Sequence, residues 1–288
     1  MIAMKINTNP NIVKEPILPD GIGAQIFRKI GYMCYAYKNN LLFQDTKIER
    51  MFIHESDKIV DKDDLNNLLE KFSKVIIDPW SPVDFDSLEN KVIEESCYNL
   101  NFDFLPFLDV APKFNAIPNT KDNRVVIHIR RGNVVPGNTR WIDEDFYFDL
   151  LSNLDTIIKH LNIVNPEVVI LTDAPDKDFW FLPDDDQRSA WNQDYLTPNS
   201  EGKFLIKSLD FTRMKELYPG LIIENKLSTY DAFIMMLNAQ LLIISPSAFS
   251  KAAAALSKNK VISLDLGASK SYKNSVGYLL PNGSFVAK

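Results

Sequence analysis

Apolar positions in the second half of the chain alternate between short β-branched runs and longer stripes with helical spacing. Val125, Val126, Ile127 and Ile129 make residues 125–129 a short buried strand, since β-branched side chains suit a pleated surface packed on both faces. Residues 144–160 place Phe146, Leu150, Leu151, Leu154 and Ile158 on one helical face. The run 168–171 predicts the next strand, ending in Thr172 and Asp173. An irregular acidic and aromatic insertion, 174–203, carries Phe179, Trp180, Phe181, Trp191 and Tyr195. A helix over 211–217 stops at Pro219-Gly220, and 221–223 form a strand. Ser228-Thr229-Tyr230-Asp231 reads as a capping box opening a helix over 232–238. A strand at 241–244, a turn at Ser245-Pro246-Ser247, a helix over 248–257 and a strand at 260–264 close the series. Strands alternating with helices across short turns predict a doubly wound, mostly parallel sheet.

The first half is less regular. Pro19-Asp20-Gly21-Ile22-Gly23-Ala24-Gln25 is a turn leading into a helix with Ile26, Phe27, Ile30, Cys34 and Tyr37 on one face. A strand at 41–43, a helix over 63–74 and a strand at 75–77 follow. Prolines 79, 82, 106, 112 and 118 then interrupt any long element, and a domain boundary is expected near 119–123. This predicts two domains, 1–120 and 121–288.

The net charge of −6 and pI near 5.2 argue against a general nucleic-acid or membrane-surface binder, so an anion site must be local. Cys34 and Cys97 form no metal spacing or disulfide framework, which suits a reducing cytosol. His54, His128 and His160 are scattered, and no metal site is expected. Residues 1–10 lack the features of a secretion signal, and no apolar run approaches a membrane span, so a cytoplasmic protein without an integral membrane segment is expected.

In a doubly wound sheet the residues after each strand share one rim. That rim would collect Arg130, Arg131, Asp173, Glu224, Ser245, Ser247 and Ser250. Guanidinium groups match phosphate oxygens, and serines at a helix start add hydroxyls beside free backbone amides. A phosphorylated ligand is therefore expected. Taken singly, the features have plainer readings: solvated arginines at a strand end, a helix cap at Asp231, and a tight turn at Gly21-Ile22-Gly23.

His128-Ile129-Arg130-Arg131-Gly132-Asn133 resembles the His-x-Arg-Arg-Gly-Asp motif of fucosyltransferases that use GDP-fucose, the α1,2, α1,6 and protein O-linked groups. Three further segments occur in the same order as in those enzymes. Gly21-Ile22-Gly23-Ala24-Gln25-Ile26-Phe27 is similar to their amino-terminal Gly-x-Gly-Asn-Gln-x-Phe, and Leu171-Thr172-Asp173-Ala174-Pro175 to their Thr-Asp-Asp-Pro segment. The stretch 231–257, with Leu237, Ile243, Ile244, Ser247, Phe249, Ser250 and Ala253, resembles their last block. Asn133, Ala174 and Ala24 depart from the pattern, and Asn138 stands at the position of a loop glutamate in the α1,6 group.

The resemblance implies a GT-B architecture: α/β, two Rossmann-like domains with mostly parallel sheets and a cleft between them. It implies an inverting, metal-independent transfer of fucose from GDP-fucose to a hydroxyl of a glycan acceptor, with no cofactor. Arg130 would be the catalytic residue, at the β-phosphate. His128 and Asp231 would contact guanine, and Ser250 with its neighbouring backbone the phosphates. Arg131, Asn133, Asp173, Ser247 and Phe249 complete the donor side, whereas Gly21, Gly23 and Gln25 line the acceptor side. Asp143, Glu144 or a residue of the first domain are the candidates for a general base, with capping of the following helix the plainer reading of Asp143. A transferase with another nucleotide-sugar donor, or a non-catalytic nucleotide- or glycan-binding protein of the same fold, are the alternatives.

Overall fold

A computed structural model describes residues 12–14, 23, 25, 42–44, 67, 122–132, 134, 136, 140–182, 198–257, 259–264, 275–280 and 284–287. The chain divides into two compact units, Met1–Met51 with Lys62–Asn119 and Phe52–Asp61 with Thr120–Lys288. In the first unit, β1 (Ile12–Lys14) pairs in parallel with β2 (Leu42–Gln44). The expected strand at 41–43 is thus displaced by one residue, and β1 was not anticipated. Gly23, Gln25 and Asn67 are helical. The helical face from Ile26 to Tyr37, the strand at 75–77 and the proline-rich stretch lie outside the described residues, as does most of the 63–74 helix.

The second unit runs β3 (Asp122–Ile129), α1 (Glu144–His160), β4 (Glu167–Thr172), β5 (Phe179–Phe181), β6 (Phe204–Ile206), α2 (Phe211–Leu217) and β7 (Ile222–Glu224). It continues with α3 (Thr229–Asn238), β8 (Ala239–Ile243), α4 (Ala248–Leu256), β9 (Lys260–Leu264), β10 (Ser275–Leu279) and β11 (Phe285–Ala287). Its main sheet has the order β11-β10-β9-β8-β3-β4-β7, and every pairing is parallel except β10 with β11. The α/β class and the mostly parallel central sheet follow directly. From β3 the chain steps outward to β4 and β7, then returns to place β8 on the other side of β3. The gap between the carboxyl ends of β3 and β8 is therefore the switch point, the place where such sheets bind ligands.

Side chains alternate across a strand, so β3 serves two different layers. Val125, Ile127 and Ile129 join a core with Leu150, Leu151 and Leu154 of α1 and Met214 of α2. Val126 and His128 point the other way, toward the layer of α3 and α4. Leu150, Leu154, Ile170 and Met214 are completely buried, and each such side chain contributes about 1.5–3 kcal/mol. Helix α1 has the termini its sequence calls for: Glu144 and Asp145 in the first turn, Lys159 and His160 in the last, each complementing the helix dipole.

Two regions differ from expectation. Phe179 to Phe181, expected within an irregular insertion, form β5 and pair antiparallel with β6. Phe179 and Phe181 pack on Phe204 and Ile206 as a small satellite core, while Trp180 on the opposite face stays half exposed. Trp191 and Tyr195 lie outside the described residues. The strand series also does not close at Leu264, because β10 and β11 extend it. A Cβ at Gly277 would collide with the Phe285 ring and the Val286 carbonyl, so this glycine permits the β10–β11 pairing.

Candidate functional site

The switch point is bridged by a side-chain hydrogen bond. His128, at the end of β3, places Nδ1 2.7 Å from the Ser245 hydroxyl, in the turn after β8. Both residues are buried, and Phe249 of α4 packs beside the imidazole with ring centroids 6.3 Å apart. Phe233 of α3 stacks behind Phe249 at 5.4 Å. Burial lowers the His128 pKa to about 4; Asp173 opposes this shift and Arg130 reinforces it. The ring is neutral at pH 7, with one nitrogen donating and the other accepting.

Asp173 organises the turn beyond β3. Its Oδ2 pairs with Arg130 Nη1, and its Oδ1 accepts the Arg131 backbone N–H at 2.5 Å. One carboxylate thus fixes both the direction of the Arg130 side chain and the course of the main chain. Gly132 makes this approach possible. Its φ is +44°, and a Cβ there would lie 2.7 Å from Asp173 Oδ2. Val134 N–H to Arg131 C=O, at 2.7 Å, closes the turn. The Arg-Arg-Gly and Thr-Asp segments, expected on one rim, are two halves of one structure.

The two arginines lie on opposite sides of the sheet. Arg130 has the parity of His128 and keeps 18% of its side chain exposed. Arg131 has the parity of Ile129 and is completely buried, with its guanidinium 3.9 Å over the Trp141 ring. Its Nη2 donates to the Ile142 carbonyl at 2.9 Å and its Nη1 to the Arg130 carbonyl at 3.2 Å. Arg131 therefore does not face the rim as a donor-binding side chain. The signal was present in the sequence, because strand parity alone separates residues 130 and 131.

The helix heads beyond the rim are capped internally. Ser247 is the N-cap of α4 and accepts the Phe249 N–H at 3.3 Å. Ser250 is completely buried, and its hydroxyl lies 3.3 Å from the carbonyls of Ser245 and Ser247. It stabilises the turn rather than presenting its hydroxyl at the rim. At the head of α3, Ser228 accepts the Asp231 N–H at 3.0 Å, the N-cap bond its sequence predicts, while Asp231 Oδ2 accepts from the Ser228 hydroxyl at 2.7 Å instead of from its backbone N–H. Glu224 ends β7, two strands from the switch point.

On the α1 face, a cavity of about 700 Å³ is lined by Trp141, Asp143, Glu144, Phe148, Leu264 and Leu279, among others. Asp143 does not cap α1 through its side chain; its Oδ1 accepts the Trp141 indole N–H at 2.8 Å. In the first unit, Gly23 and Gln25 are buried. Gly21, Asn133 and Asn138 lie outside the described residues. Among the described residues, no three His, Cys, Asp or Glu side chains converge to hold a metal ion, and no helix is long and apolar enough to cross a membrane.

No protein-family profile and no curated protein matches the sequence. Among solved structures, the chain is similar to E. coli heptosyltransferase WaaC with ADP-2-deoxy-2-fluoro heptose, at 9% identity and a TM-score of 0.41. The match covers 94% of this chain and 93% of that one.

Proposed function

We propose that this chain is a glycosyltransferase of GT-B type that takes a nucleotide sugar, GDP-fucose, and transfers the sugar to a hydroxyl of a glycan acceptor. The observation that carries the reading is the presence of two side-chain pairs at the carboxyl end of β3, His128 with Ser245 across the switch point and Arg130 with Asp173 beyond β4. It is supported by the motif resemblance, whose His-x-Arg-Arg-Gly and Thr-Asp segments meet there. Neutral His128 offers the base a hydrogen-bonding edge, and exposed Asp231 is the second proposed guanine contact. Arg130 stands at the diphosphate.

Breaking the sugar C1–O bond moves its electron pair onto the β-phosphate oxygen while the acceptor oxygen forms the new bond. A fixed guanidinium at that oxygen stabilises the transition state more than the ground state. Asp173 supplies the fixing, since it holds Arg130 before any ligand arrives. The acceptor proton leaves to a base or to the departing phosphate. In this reading Gly23 and Gln25 serve the acceptor, and the transfer is inverting and needs no metal.

The test is incubation with GDP-fucose, GDP-mannose, UDP-glucose and an ADP-sugar, with and without a glycan panel, following nucleotide release and product mass. The expected result is GDP release from GDP-fucose, accelerated by an acceptor that gains one deoxyhexose. Release from another donor alone would move the reading to that donor, and GDP binding without turnover would support a binding protein.

A further inference from the structure

Among the described residues, the hydrogen-bond partners of the buried Arg131 guanidinium are backbone carbonyls, not carboxylates. The guanidinium lies against two aromatic rings of the α1 layer, Trp141 at 3.9 Å and Tyr147 at 5.7 Å. Among the described residues its Nε has no hydrogen-bond partner, and burial pushes its pKa down from the ordinary arginine value. Desolvating a charge in this way is unfavourable unless the geometry returns something specific. Here the fork spans two carbonyls, that of Arg130 at the rim turn and that of Ile142 before α1. Between them the stack fixes Trp141, whose indole in turn holds Asp143. Asp143 and Glu144 line the cavity at the head of α1.

We infer that Arg131 is a positioning residue that ties the head of α1 to the rim turn, holding the Trp141–Asp143 wall of the α1-face cavity without touching the donor. A planar fork that also stacks is a property of arginine and not of lysine. If the residue served only as a positive charge near a diphosphate, lysine would replace it. Because it works by shape, lysine fails.

The test compares wild type with Arg131→Lys, Arg131→Met and Trp141→Ala. Hydrogen–deuterium exchange reads the consequence directly and needs no substrate. Amides of residues 142–146 should exchange about tenfold faster in all three variants, while those of 125–129 stay within about twofold of wild type. GDP affinity should remain within about threefold, whereas transfer from GDP-fucose should fall by tenfold or more in kcat with little change in donor KM. Arg131→Lys with wild-type exchange and turnover would overturn the inference, as would a tenfold loss of GDP affinity in Arg131→Met or Trp141→Ala. If the arginine variants do not fold, Trp141→Ala decides, because unchanged exchange at 142–146 there contradicts the proposed tie. The turnover arm rests on the proposed function. Should wild type bind no guanine nucleotide, that reading fails while the exchange arm still tests Arg131.

Discussion

His128 and Ser245 are 117 residues apart in sequence and share a 2.7 Å hydrogen bond across the switch point of the sheet. The contact exists because β8 returns beside β3 instead of continuing past β7. It fixes the imidazole orientation at the point where the sheet leaves a crevice for a ligand.

Burial of this histidine makes stability depend on pH. The folded pKa near 4 lies below the ordinary 6.5, so between these values the unfolded chain binds the extra proton. Stability should be fully present above about pH 6.5 and fall as pH drops toward 4, by about 3 kcal/mol from this group alone. Urea denaturation at pH 7, 5.5 and 4.5 measures the slope. His128→Gln should flatten that part of the profile, and an unchanged profile would rule out His128 as its source.

Asp173 should matter to folding as well as to any ligand. Asp173→Ala removes the Arg130 ion pair and the acceptor of the Arg131 N–H. The expected loss is about 2–4 kcal/mol, read from the urea midpoint. Asp173→Asn retains an oxygen for the Arg131 N–H and should lose roughly half as much. Equal losses in the two variants would place the stabilisation in the ion pair alone.

Gly132→Ala meets two obstacles at once, a positive φ and a Cβ close to the Asp173 carboxylate. Destabilisation of about 1–3 kcal/mol is expected, together with weakened nucleotide binding as Asp173 shifts and Arg130 follows. Alanine at 132 with wild-type stability and affinity would show that the close approach of Asp173 is dispensable.

Much of the second unit was legible because its signals are local. The amphipathic stripe of 144–160 and the Ser228 capping box each gave elements close to those observed, since period and cap chemistry depend on a few neighbouring residues. Strand order was not legible, because nothing local distinguishes a chain that continues past β7 from one that returns to β3. Strands β10 and β11 escaped notice for a similar reason: Gly277 is explained by Phe285 across the pair, not by its own neighbours. For the site, residue types at strand ends identified Arg130, Asp173 and Ser245, but not that one aspartate serves both Arg130 and the Arg131 backbone. Arg131 was given a separate role from Arg130 but still placed on the donor side, whereas strand alternation sends the two side chains to opposite layers.

Calorimetric titration of GDP into wild type and Arg130→Ala asks whether Arg130 holds a diphosphate beside the His128–Ser245 pair. ADP serves as the base control. Wild type should bind GDP in preference to ADP, and Arg130→Ala should remain folded while losing at least about tenfold in GDP affinity, the loss of one charge-assisted contact. Absence of GDP binding to wild type, or equal affinity in Arg130→Ala, would contradict that role.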